Sequence, residues 1–460
     1  MRTIAKTREK FKPLESCVEV SESILIGYFT TIKKVFTKFD NWLREITEPR
    51  TKHKIIYPIK SLMYLSLLMM LPSVKSRRHY TELFRNTETK SVLENILKEE
   101  LPRIADEDTL AYLWDKLSVK ELIELKEKML NRLLRMKCLE QFKFHGRYLI
   151  AIDGTELYRF KNRHCKHCLY AKIKDKYQYF HRVLEAKLIC NGMVFSIATE
   201  FIENSPDSED DKQDCELKAF HRLAKKLKKL YPRLPITILA DGLYPNGPVF
   251  ARCQEYNWKY IFTLKDDVLK TVWVDFHGLF NQSETAIGAE LEQPEIFDEE
   301  VRYRWQNSLS YDGKDFKGKV NILAKAGLND KGEYETIRAF ITNYKLKEES
   351  ILEIENAGQQ RVKIENEGFN IQKNHGYQLE HIFTNSPNGM KVVYLLIQIA
   401  HIINQLFVQA DIMKVCRKLN SLRECFEKLI SAIKSPWNKA LEDKFNDISS
   451  KEFQLRFDSS

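Results

Sequence analysis

Two apolar strands that each run into an Asp-Gly pair constrain this chain more than any other feature of its 460 residues. Tyr148-Leu149-Ile150-Ala151-Ile152-Asp153-Gly154-Thr155 is apolar and rich in β-branched residues until it reaches Asp153. Pro235-Ile236-Thr237-Ile238-Leu239-Ala240-Asp241-Gly242 repeats the design. A carboxylate at the end of a core strand is costly to bury unless a partner compensates its charge. Two such strands point to two carboxylates meeting at one edge of a single sheet, an arrangement that builds an oxygen-lined site for divalent metal. The plainer reading of either copy alone is a turn after a strand.

The texture around these strands sets the fold class. Residues 1–140 are poor in glycine, and apolar residues recur at three- and four-residue spacing through Leu62–Leu71 and Leu110–Leu139, so this part reads as all-helical. Asp106-Glu107-Asp108-Thr109 reads as a helix start. From Phe142 strands take over. Tyr177–Cys190 and Met193–Phe201 flank Asn191-Gly192, a strong hairpin signal. After an acidic loop from Asp207 to Asp214, Leu217, Phe220, Leu223, Leu227 and Leu230 mark the buried stripe of a helix whose other face carries Lys225, Lys226, Lys228 and Lys229. The Asp241 strand, a helix around Val249–Tyr256 and a strand at Tyr260–Leu264 follow. The expectation is an α/β chain with a mixed sheet flanked by helices. Residues 141–267 form its first part, 268–345 a β-rich insertion, 346–440 a helical second part and 441–460 a polar tail.

Charge and cysteine usage narrow the function classes. The net charge is +10, and residues 1–90 hold 18 Lys/Arg against 9 Asp/Glu, so 18 − 9 = +9 lies in the first fifth. That asymmetry suits a polyanionic partner at the N-terminal region. The 9 cysteines are scattered, which fits a reducing compartment without a disulfide framework. No secretory pattern follows Met1, and the apolar run Leu62–Leu71 is too short to span a bilayer, so a cytoplasmic protein with no membrane partner is expected.

A third carboxylate is expected on a helix beyond the insertion. In the stretch Gln360 to Asn370, Glu365 lies four residues after Arg361 and four before Phe369, on one helical face. That spacing sets a carboxylate beside a cation able to hold phosphate. Glu367, Asp266 and Asp267 compete for the same role.

Ala151 to Thr155, Leu239 to Tyr244, Gln213 to Ala219, and Arg361 to Asn370 with Lys373 together resemble the DDE transposases of bacterial insertion sequences, in the cut-and-paste branch with a β-rich insertion before the last acid. The resemblance covers residues 100–410, roughly. It implies a ribonuclease-H-like sheet and a triad of Asp153, Asp241 and Glu365, with spacings of 241 − 153 = 88 and 365 − 241 = 124. It further implies two Mg²⁺ ions per active site, replaceable by Mn²⁺, that support hydrolysis and strand transfer at transposon ends. Arg361 and Lys373 match the cations that hold DNA near the last acid. The implied partners are double-stranded DNA, as transposon ends and target, and a second copy of the chain in a homodimer on that DNA. The chain departs from the pattern at Gly358, where the family usually has Tyr, at Val362, where Trp is common, and at Gln372, where the lysine is often found. Two rival readings stay open: a decayed transposase acting only as a DNA-binding protein, and a stand-alone metal-dependent nuclease.

Weaker signals remain. His164-Cys165-Lys166-His167-Cys168 gathers soft ligands, yet no second ligand pair for zinc stands out elsewhere in the sequence. Trp258, Trp273 and Trp305 are read as core residues ahead of base-stacking ones.

Overall fold

The computed structural model describes residues 17–204, 213–285, 295–298, 301–329, 332, 334–409, 421–450, 455 and 457. The basic residues before 17, most of the acidic loop (residues 205–212) and most of the tail after 450 lie outside the described residues. The chain divides into two compact units, Leu139–Ile371 and the pair of segments Met1–Cys138 and Gln372–Ser460.

The two-segment unit is helical among the described residues. Its apolar periodicities become Ile59–Met69, Glu107–Trp114 and Val119–Arg135. Asp106 caps the second of these by accepting from the Thr109 amide at 2.9 Å. Pro387–Gln409 packs against Val119–Arg135, Cys17–Val35, Ile59–Met69 and Glu107–Trp114. This helix is long and apolar enough to cross a membrane, but 83% of its apolar window is buried inside the protein. Its polar residues explain that burial. Gln398 and Gln372 exchange amide hydrogen bonds of 2.9 and 3.0 Å, Gln372 Nε2 lies 2.9 Å from His401 Nδ1, and Asn404 donates to the Tyr377 hydroxyl. Most of these polar atoms tolerate burial because they are hydrogen-bonded within the protein; the Asn404 side-chain oxygen is the exception among them.

The other unit is mixed α/β. Its strands are β1 (Tyr148–Phe160), β2 (Leu169–Ile173), β3 (Lys176–Cys190), β4 (Met193–Ile202), β5 (Ile236–Ala240), β6 (Lys259–Thr263), β7 (Glu295–Asp298), β8 (Val301–Gly313), β9 (Phe316–Leu328) and β10 (Tyr334–Thr342). They form one sheet in the order β2-β3-β1-β5-β6-β10-β9-β8-β7. β3 is long enough to pair with β2 along its first residues and with β4 along the rest. β1 runs antiparallel to β3, whereas β5 is parallel to both β1 and β6. The hairpin expected at Asn191-Gly192 joins β3 to β4, with Asn191 in the left-handed region at φ +55°.

Helices flank the sheet because its central strands are apolar on both faces. The β5 residues are all buried, as are Tyr148 to Ile152 of β1. Glu216–Leu230 packs on β3 and β4 through Ala219, Phe220, Leu223, Ala224 and Leu227. Leu217 and Leu230, expected on that stripe, are only half-buried. A core cluster joins Ala151, Leu239 and Ile261 of the sheet to Ile351, Ile354, Ile364 and Phe369 of the segment beyond it.

Three boundaries differ from the sequence reading. The loop expected after the Asp153 strand contains β2, a short and largely exposed edge strand whose pattern carries little apolar signal. The segment 268–345 includes the helix Lys270–Thr285, and its strands extend the main sheet because β10 pairs with β6. The segment 346–440, read as one helical part, is shared between the units at Gln372. Both sides of that division are helical, so local pattern could not mark it.

Candidate active site

β1 does not stop at Asp153; it continues to Phe160. Ala151 pairs with Leu239 in parallel register, and two residues further along each chain stand Asp153 and Asp241. Asp241 directly follows the last residue of β5, and its Oδ1 accepts from the Leu243 amide at 2.9 Å. Asp241 therefore makes the turn that the plainer reading expected. Neither Gly154 nor Gly242 occupies the left-handed region. Their use is space. A Cβ at Gly154 would collide with the Glu216 carboxylate, and one at Gly242 would lie 2.7 Å from Cγ of Lys265.

The two aspartates meet a third carboxylate, Glu216, at the first residue of the helix Glu216–Leu230. Burial pushes the Asp153 carboxyl up to about 6. Arg361 opposes that rise through an ion pair of 3.3 Å, as does the Gly154 amide at 2.8 Å, while the negative charges of Glu216 and Asp241 add to it. Burial likewise raises Glu216, against the pull of Arg182 at 3.7 Å and with a further push from Asp241. Tyr244 lies beside the same group. Its hydroxyl is buried without a hydrogen-bond partner, and burial together with Glu216, Asp153 and Asp241 holds it well above the usual phenol range. A cleft of about 290 Å³ opens along Arg182, Glu216 and Leu243.

Three carboxylates repel one another, and Arg361 and Arg182 are the cations that offset Asp153 and Glu216. Hard oxygens gathered in that way suit Mg²⁺ or Mn²⁺, and the unpartnered Tyr244 hydroxyl adds one more oxygen facing the group. The donor set therefore fits the implied metal.

Glu365 stands differently. It is exposed, and it is not among the charges acting on Asp153, Glu216 or Tyr244. The expected common face of Arg361, Glu365 and Phe369 is not kept: Phe369 is fully buried while Glu365 faces outward. The reason is local. Arg361 N donates to Gly358 O at 3.2 Å and Ile364 N to Arg361 O at 3.1 Å, three residues back in each case, and Ile364–Asn370 then forms a π-helix. Both changes shift the angular frame of an α-helix, and π-turns recur at functional sites. Glu367, the competing acid, has one carboxylate oxygen buried without a hydrogen-bond partner. Asp266 and Asp267 are exposed in the turn after β6.

Of the two expected DNA-holding cations, Arg361 belongs to the carboxylate group. Lys373 lies in the two-segment unit and pairs with Glu380 at 3.0 Å. Gln372 is fully buried in the amide network with Gln398 and His401, so a lysine there would lose its solvation. Gly358 has an equally physical reason: a Cβ would come within 2.6 Å of the Phe340 ring. The three tryptophans are buried, as expected of core residues.

Glu216 is the residue that sequence reasoning passed over as a site residue. Its signal was the Gln213 to Ala219 block and its position opening a helix. Glu185 and Lys187 were missed as well. Both are fully buried on β3, where Glu185 pairs across the sheet with Asp153 and accepts from Ser196 and Thr199. Charged residues at alternate positions within the run Val183 to Cys190 mark one polar face of an otherwise apolar strand. No protein-family model and no curated protein matches the chain.

Proposed function

We propose that the chain is a DNA transposase of the DDE type, which binds the ends of its insertion sequence and carries out metal-dependent strand cleavage and strand transfer. The observation that carries this reading is the convergence of Asp153, Asp241 and Glu216 with Arg361 and the unpartnered Tyr244 hydroxyl at one edge of the sheet. The fold reading that goes with it is ribonuclease-H-like. The neighbouring order β4-β3-β1-β5-β6, antiparallel on one side of β1 and parallel on the other, supports it.

In this reading Asp153 and Asp241 would hold the two Mg²⁺ ions that the resemblance implies. Glu216 would offer a further oxygen donor, and Glu365, the third acid that the resemblance implies, would have to turn inward from the π-helical segment to join them. Divalent metal supplies Lewis-acid stabilisation of the attacking and leaving oxygens of an in-line displacement. The chain's own residues do the rest. Asp153 gives up the proton that its burial favours, and a cation held by the resulting carboxylate would take over its charge from Arg361, leaving the guanidinium able to hold a phosphate oxygen. The buried Tyr244 hydroxyl, which has no partner in the chain, would donate its hydrogen to an oxygen of the bound DNA. Double-stranded DNA is the substrate, and two copies of the chain act on the two transposon ends.

The test uses the purified full chain, DNA carrying the sequences that flank its gene, and Mg²⁺. The expected result is a Mg²⁺-dependent nick at the element boundary followed by joining to a second DNA. Bound ends without any nick would replace this reading by that of a DNA-binding protein without catalysis. Cutting of unrelated DNA without joining would replace it by a nuclease.

A further inference from the structure

Outside the acidic edge, the described residues of the sheet unit hold one compact group of soft metal ligands: Cys165, Cys168 and His181. Cys165 and Cys168 lie in the connection from β1 to β2, and His181 is on β3. Register brings them together. Leu169, the first residue of β2, pairs with Phe180, so the cysteine just before β2 meets the histidine just after Phe180.

We infer that Cys165, Cys168 and His181 form a zinc site. The geometry decides it. The two sulfurs are 3.6 Å apart, and His181 Nε2 is 3.5 Å from each of them. A tetrahedral zinc with Zn–S near 2.3 Å and Zn–N near 2.0–2.1 Å requires S···S of about 3.8 Å and S···N of about 3.6 Å. The three ligand atoms therefore already outline one face of that tetrahedron. A disulfide is a different object, because its sulfurs stand about 2.05 Å apart.

Three further features suit a metal and not a chance encounter of side chains. The Cys165 amide donates to Cys168 Sγ at 3.4 Å, a contact that holds that sulfur in place. Cys168 and His181 are buried, so a bound ion would be shielded from water. Phe160 walls the site, standing edge-on to His181 at 6.2 Å and stacked on His164 at 4.5 Å. Thiolate and imidazole ligands select zinc over the hard cations of the acidic edge. The three side chains leave the fourth position of a tetrahedral ion to a further donor. Zinc there would tie the exposed Lys161, Arg163 and Lys166 of the β1–β2 connection to β3.

The test is the metal content of the full-length chain, purified under a phosphine reductant and dialysed against metal-free buffer. About one zinc per chain is expected, falling at least about tenfold in Cys165→Ser/Cys168→Ser and staying unchanged in Cys215→Ser, whose thiol is exposed elsewhere. Should the double variant not fold, Co²⁺ titration of the unaltered chain decides. A thiolate-to-cobalt charge-transfer band that zinc displaces supports the site. Absence of that band, or full zinc content in a folded double variant, overturns it.

Discussion

Two candidate metal centres lie in the sheet unit, and they are built on opposite principles. At the acidic edge, Asp153, Glu216 and Asp241 are held together against their own repulsion, and burial pushes Asp153 up to about 6. Beyond the far end of β1, Cys165, Cys168 and His181 sit in a spacing that already matches a tetrahedral ion. The first group is electrostatically uncomfortable and open along a cleft. The second is built from soft ligands and is largely shielded. Strain from like charges suits a centre that must exchange metal-bound oxygens with a substrate, whereas a preformed soft cage suits a centre that only holds the chain.

The largest effects should separate these roles by activity. Asp153→Asn or Asp241→Asn is expected to lower Mg²⁺-dependent cleavage by at least about 10³-fold, since several kcal/mol of transition-state stabilisation is removed. If the proposed function holds, binding of DNA that carries the sequences flanking the gene, measured by gel shift, should be retained. Normal cutting by either variant would remove the acidic edge from catalysis.

The next effect ranks the third acid. Glu365→Gln is expected to abolish detectable cutting, while Glu216→Gln lowers it by about 10–100-fold, the range seen when a supporting group beside a metal ligand is lost. The reverse ranking would make Glu216 the third ligand and leave Glu365 a surface residue of the π-helix.

A smaller effect distinguishes the two centres by stability. Stripping zinc with a chelator should lower the unfolding free energy of the full chain by about 2–4 kcal/mol, because a metal bound only by the folded state adds its binding energy to folding. Cys165→Ser/Cys168→Ser should show no such response to chelator, as read by denaturant titration. Equal responses would mean that the thiol group holds no structural ion.

The smallest effect is a pH dependence at Asp153. Its carboxyl is raised in the folded chain, so folding takes up a proton there. The stability this provides is fully present below the ordinary value of 3.8 and is lost as pH rises through about 6. The Asn variant lacks that loss. Relative to the unaltered chain in metal-free buffer, it should gain about 1–2 kcal/mol between about pH 4 and pH 7.5, a figure reduced for partial exposure and for the Arg361 ion pair. A flat difference across that range would mean that Arg361 fully neutralises the group.

Much of the frame was legible without coordinates. Apolar runs with β-branched residues marked β1 and β5, three- and four-residue spacing marked the helices, and Asp106 marked a helix start, because each signal is local and repeats within a few residues. Asp153 and Asp241 were legible for the same reason: a carboxylate that ends an apolar run conflicts with its surroundings within eight residues of sequence. Glu216 was not, because a glutamate opening a helix is ordinary until Gly154 leaves room for it across the sheet. His181 was not, because only the β2–β3 register sets it against two sulfurs. The outward turn of Glu365 was hidden as well, since a π-helix between α-helical turns leaves no mark in residue spacing. Residue type and short-range order by themselves determined which strands and helices form and which acids are costly to bury. Tertiary structure decided which side chains meet, because strand register and helix frame are settled by packing between segments far apart in the chain.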